Sequence, residues 1–132
     1  MVIILVHWQI KKGFEEQFIA SWRKMSISQE SGLYREMLTT VEHIPNDPKF
    51  NTFSISDPNY TTFINIGIWE SLEAFDESVG KYIPKTESYI AEDGRKKITI
   101  SLEEYEFKLR ERVVLKKVFD RGGDLPFADM LE

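Results

Sequence analysis

The stretch "TTFINIGIWESLEAF" (61–75) decides how the chain folds. Over residues 61–69 the even positions, Thr62, Ile64, Ile66 and Ile68, form an aliphatic set, and the odd positions, Phe63, Asn65, Gly67 and Trp69, a mixed one. That two-residue period reads as a strand. The period then changes: Ser71 can cap a helix, Leu72, Phe75 and Val79 share one helical face, and Gly80 stands where such a helix ends. A strand running directly into an amphipathic helix implies a sheet with helices laid on it.

Toward the N-terminus, "VIILVHWQI" (2–10) is β-branched and aromatic and stops at "KKG", as a strand entering a turn should. From Gly13 onward Phe14, Phe18, Trp22 and Met25 fall on one helical face, and Gly32 is expected to close that helix. "LYREMLTTVEH" (33–43) reads as a second strand, and "IPNDPKFNTFSISDPN" (44–59), with its three prolines, as a loop. The segment 81–104 has no clear period, although "KTESYIAEDG" could hold a short helix. "YEFKLRERVVLKKVF" (105–119) keeps a two-residue period that favours a strand, while Leu102, Tyr105, Leu109 and Val113 behind a Ser101/Glu104 capping box also suit a helix.

The resulting order is β-α-β-β-α-β. It predicts an α+β, ferredoxin-like sandwich: one four-stranded antiparallel sheet with both helices on one face. A chain of 132 residues suits a single domain, with residues 2–80 and about 105–118 as its core, 44–60 and 81–104 as inserts and 120–132 as a C-terminal arm.

Composition narrows the function classes. The net charge of −5 and the absence of a basic stripe argue against nucleic acid as a partner. With no cysteine there is no disulfide, thiolate nucleophile or Cys-ligated metal, which suits the cytoplasm. The apolar N-terminus lacks the flanks of a signal peptide, and no segment approaches the roughly 18 apolar residues of a membrane span.

Two helices cover only one face of such a sheet, yet the first strand is apolar on both: Val2, Ile4, Val6, Trp8 and Ile10 on one side, Ile3 and Leu5 on the other. A second copy packing sheet to sheet is the simplest cover, so a homodimer is expected. The aliphatic even positions of 61–69 suit packing against the helices, and the first strand splits the same way, with Ile3, Leu5, His7 and Gln9 as its mixed face. The first and third strands of a ferredoxin-like sheet are adjacent, so His7, Gln9, Asn65 and Trp69 are expected to share one wall of a small-ligand pocket.

The order of elements, "KKGFEEQF" at the start of the first helix and above all "INIGIWESLEAF" resemble the antibiotic biosynthesis monooxygenase domain of the dimeric α/β-barrel superfamily. The likeness covers about residues 2–80, with a fourth strand at 105–118. It implies a ferredoxin-like domain that dimerises face to face into an α/β barrel. The same fold serves oxygenases, heme-degrading enzymes, isomerases and proteins of no known activity. Quinol-type oxygenases of the family have an Asn and a Trp four apart at the end of the third strand, matched here by Asn65 and Trp69. They have a Tyr six residues past the Trp, where this chain has Phe75. Heme-degrading members combine a first-strand Asn with a His on the second helix. Here the strand position is Val6, and no His lies between 44 and 132.

Two functional readings follow. In the first, a small aromatic, quinol-type substrate lies between sheet and helices, bounded by Phe63, Trp69, Phe75, Gln9 and Tyr82. His7 takes its proton, Asn65 holds the oxyanion, and O2 reacts without flavin or metal. In the second, the chain is a dimeric binding or accessory protein that keeps the pocket without the chemistry. Each residue also has a plain structural reading: His7 as a buried neutral imidazole, Trp69 as core, Asn65 as a strand-bonded amide, and His43, Tyr34 and Arg35 as surface groups. The two histidines, on separate strands with no carboxylate in ligand spacing, give no metal site.

Overall fold

The structure, a computed structural model, describes residues 1–25, 27, 28, 31–52, 55–80, 87–90, 96–99 and 105–123. Its elements are β1 (Val2–Lys11), α1 (Glu15–Lys24), β2 (Leu33–Thr40), β3 (Tyr60–Trp69), α2 (Leu72–Val79), β4 (Glu87–Ile90), β5 (Lys96–Thr99) and β6 (Phe107–Leu115). β2, β3, β1 and β6 form, in that order, an open antiparallel sheet, and β4 and β5 pair as a separate hairpin. Four antiparallel strands, with one helix between β1 and β2 and another after β3, are compatible with a ferredoxin-like α+β fold.

Residues 107–115 are a strand, as the β-branched and aromatic content favours. Two expectations about the elements need correction. Residues 87–90 pair with 96–99 as strands, so 87–90 are not part of a short helix. The first helix ends at Lys24, with Met25 as its cap, well before Gly32. Gly32 instead has φ +93°, and a Cβ there would come within 3.0 Å of Ala74 Cβ, so it seats the start of β2 against α2. Ser71 caps α2 as its sequence suggests, its hydroxyl accepting from the Ala74 N–H at 3.1 Å.

The core lies between sheet and helices. Phe18 of α1 packs against Trp8 and Phe63 with ring centroids 4.9 Å from each. Tyr105 and Phe107 complete this aromatic cluster beside Ile4, Val6 and Ile10. Each such ring pair adds about 0.5–1.5 kcal/mol beyond its buried area.

The strand register determines which residues share a face, because partners in an antiparallel pair point the same way. Trp8 pairs with Phe63, Val6 with Asn65 and Val2 with Trp69, whereas His7 pairs with Ile64. The odd residues of β3 therefore join the even residues of β1 under the helices. The even residues of β3, Ile64, Ile66 and Ile68, join Ile3, Leu5 and His7 on the open face. The expected wall of His7, Gln9, Asn65 and Trp69 is thus split between opposite sides of the sheet.

Candidate functional site

Asn65 and Trp69 stand on the helix side, and both are almost fully buried, at 6% and 0% exposure. β2 adds a residue the sequence did not single out: Glu36 stands opposite Gly67, on the face that carries both. Gly67 is required here. A Cβ on it would lie 2.6 Å from Trp69 Nε1 and 3.8 Å from Glu36 Oε2, so indole and carboxylate converge where residue 67 has no side chain. Phe75 of α2 meets the Trp69 ring edge-on at 5.4 Å, so helix and strand hold the indole between them.

Two polar atoms meet in this place, and Asn65, two residues before Gly67 on the same strand face, bonds to the Glu36 carboxyl. Asn65 Oδ1, Glu36 Oε2 and Trp69 Nε1 are each buried without a hydrogen-bond partner among the described residues. Leaving one such group unpaired costs about 1–3 kcal/mol, so these atoms call for an explanation beyond packing. The set offers one N–H donor and two acceptor oxygens, which matches a small molecule bearing hydroxyl groups. Burial raises the Glu36 carboxyl above its ordinary pKa, and a hydrogen bond from Asn65 offsets part of that rise.

The open face is different in character. His7 pairs with Ile64 on one side and with Glu111 of β6 on the other. With Leu5, Ile55, Ile64, Arg112 and Val113, His7 and Glu111 line a cavity of about 290 Å3. His7 therefore points away from the helices, as its parity implies. Gln9, on the same face, donates weakly to the Ile55 carbonyl at 3.5 Å, and Thr62 donates to that carbonyl at 2.8 Å. Gln9 thus helps pin the 44–59 loop over one end of the sheet and lies far in register from the Asn65–Trp69 cluster.

Phe63 packs on Phe18 as core, and Tyr82 lies outside the described residues. His43 is exposed beyond β2, and Tyr34 is the extra residue where the β2 register shifts, 63% exposed. Glu36 could have been found from its period, since Glu36 and Leu38 alternate with Arg35 and Met37. What the sequence could not supply was its register against Gly67. Arg110 was also passed over. Its guanidinium lies 5.4 Å from both the Trp8 and the Phe107 rings, and burial lowers its pKa.

Among the described residues no group of three or more His, Asp or Glu side chains could hold a metal ion, and no helix is long and apolar enough to cross a membrane. No protein-family model matches the chain, and no curated protein matches it.

Proposed function

We propose that the helix-side cluster of Glu36, Asn65 and Trp69 binds a small hydroxylated aromatic molecule, and that the protein is a monooxygenase that oxidises it with O2 without a resident cofactor. The observation that carries this reading is the convergence of two unpaired buried polar atoms, Trp69 Nε1 and Glu36 Oε2, at Gly67, with Asn65 bonded to the same carboxyl. The resemblance of "INIGIWESLEAF" to the antibiotic biosynthesis monooxygenase family points the same way. His7 has no part in the chemistry, because it stands on the opposite face.

In this reading the ring packs against Trp69 and Phe75, with its hydroxyl between the indole N–H and the carboxylate. For a phenol with a free para position the reaction balances as follows. The para carbon takes one atom of O2 and becomes a carbonyl. The other oxygen leaves as water with two hydrogens, one from that carbon and one from the hydroxyl, and the ring becomes a quinone. Oxygen-electrode traces with a panel of phenols and hydroquinones test this. Uptake above buffer that is lost in Asn65→Ala and Trp69→Phe is expected; no uptake with any member overturns turnover.

A second reading keeps the ligand and drops the turnover. It is favoured by Phe75, which puts an unreactive ring against Trp69 where the resembled oxygenases have a hydroxyl. Equilibrium binding of the same panel without O2 uptake would select this accessory role.

We further propose that two copies pack their open sheet faces together into an α/β barrel. The support is an aliphatic face formed by Ile3, Leu5, Ile64, Ile66 and Ile68, edged by Val113 and Leu115 at 47% and 39% exposure. Sedimentation equilibrium tests this, and a monomer at all concentrations overturns it.

A further inference from the structure

The reading of the Glu36–Asn65–Trp69 cluster as the substrate site leaves one role open: the group that takes the proton. His7 is on the other face, and Phe75 has no hydroxyl. We propose that Glu36 is that group, a catalytic base whose Oε2 receives the hydroxyl proton of the bound ring while the Trp69 N–H holds the oxygen left behind. The proposal rests on the substrate reading above.

Geometry carries it. Glu36 Oε2 is the carboxylate oxygen without a partner, Trp69 Nε1 is the donor without an acceptor, and both lie within 4 Å of the point a Gly67 Cβ would occupy. A hydroxyl oxygen lodged between them accepts from the indole and donates to the carboxylate, satisfying both atoms at once. Asn65 bonds to the same carboxyl and fixes its orientation from the neighbouring strand.

The step conserves charge. The O–H bond breaks, its electron pair stays on the ligand oxygen, and a new O–H bond forms on Glu36 Oε2, so one negative charge passes from the carboxylate to the phenolate. A buried carboxylate favours this transfer, because it gives up a charge that burial penalises. Each unit by which burial lifts its pKa shifts the transfer equilibrium about tenfold.

The charged neighbours do not cancel this effect. On α2 and β6, Asp76 and Arg112 pair with each other at 2.6 Å. On the turn into α2, Glu70 lies against Gly32. Glu36 forms no ion pair with a described residue, and its protonation responds to burial first and to Asn65 second.

The probe is 4-nitrophenol, whose neutral and ionised forms absorb at different wavelengths, so one titration reports both binding and proton position. In the wild-type protein the bound probe is expected to ionise at a higher pH than in free solution, because the carboxylate that accepts its proton disfavours a second negative charge beside it. In Glu36→Gln binding of the neutral probe should persist with Kd changed less than about threefold, while the ratio of ionised to neutral bound probe at a given pH rises at least about tenfold, because that charge is gone. Glu36→Asp, with a shorter reach, is expected to restore part of the wild-type shift. It also keeps the test open if the Gln variant fails to fold by circular dichroism. Equal ionisation in wild type and both variants, with binding intact, overturns the role of Glu36 and leaves the binding site standing. No binding by the wild-type protein overturns the site and the base together.

Discussion

The two faces of the main sheet are built from the same four strands and differ in kind. The helix face is aromatic, with Trp8, Phe63, Trp69 and Phe107 meeting Phe18 and Phe75, and it encloses buried polar atoms from Glu36 and Asn65. The open face is aliphatic at its centre and carries His7 and Glu111 side by side in register. Chemistry-bearing residues occur on both, but only the helix face gathers unpaired polar atoms around a residue with no side chain. A uniformly aliphatic strand face is thus no sign of helix packing: here it is the face the protein's own helices leave uncovered.

Truncations on the two faces should break or sharpen this contrast most strongly. Trp69→Ala removes a fully buried ring on the helix face and is expected to cost about 3–5 kcal/mol in urea unfolding. Ile66→Ala on the open face should cost less in an isolated chain. If the faces pair between two copies, its cost becomes comparable and depends on protein concentration. Ile66→Lys is then expected to convert the dimer to monomer on a sizing column with light scattering.

Gly67→Ala comes next. The added methyl would lie 2.6 Å from Trp69 Nε1, so the indole must move, at about 1–3 kcal/mol, with loss of phenol binding. The same change at Gly13, where nothing stands within 4 Å, meets only its backbone, at φ +100°. If Gly67→Ala binds phenols as the wild type does, the convergence over residue 67 is not a binding site.

Glu36→Gln tests the buried charge through stability. The folded-state pKa of Glu36 is raised, so the neutral carboxyl is the form that folding prefers. Its contribution is fully present below the unfolded pKa and is lost as pH rises through the folded one. The Gln variant should therefore melt higher than wild type at pH 8 and show little gain at pH 4. A gain independent of pH would mean that the carboxylate carries no burial penalty.

The smallest effect is expected at the Lys108–Asp57 bridge, 2.7 Å long, which ties the end of the 44–59 loop to β6. Lys108 first, and the Asn59 N–H second, hold the Asp57 carboxyl below its ordinary pKa. Its stabilisation is present above the unfolded pKa and disappears as pH falls through the folded one. Asp57→Asn should cost up to about 1 kcal/mol at pH 7 and nothing at pH 2.

Legibility in the sequence followed the range of the interaction involved. The strand and helix at 61–79 are local, since alternation and a Ser cap act within a few residues, and the structure has both. The strand at 107–115 was readable because β-branched and aromatic residues outweighed a competing capping box. Gly32 was misassigned because a glycine that ends a helix and one that admits a close neighbour look alike in sequence. Of the site, Asn65 and Trp69 were legible as an amide and an indole on one strand face. Glu36 was legible only as an acid alternating with Leu38; its place opposite Gly67 depends on strand register, which leaves no local mark in "LYREMLTT".

The sequence by itself determined the four strands of the main sheet and its two helices, their order and the parity within each strand, because period and capping are properties of neighbours along the chain. It could not determine which parity of β1 lies beside which parity of β3. A one-residue change of register exchanges every side chain between the faces of a sheet, and register is settled by packing between strands distant in sequence. Only the tertiary structure put Trp8 opposite Phe63 and His7 opposite Ile64. That offset removed His7 from the candidate site, and the separate register of β2 against β3, which sets Glu36 opposite Gly67, brought Glu36 into it.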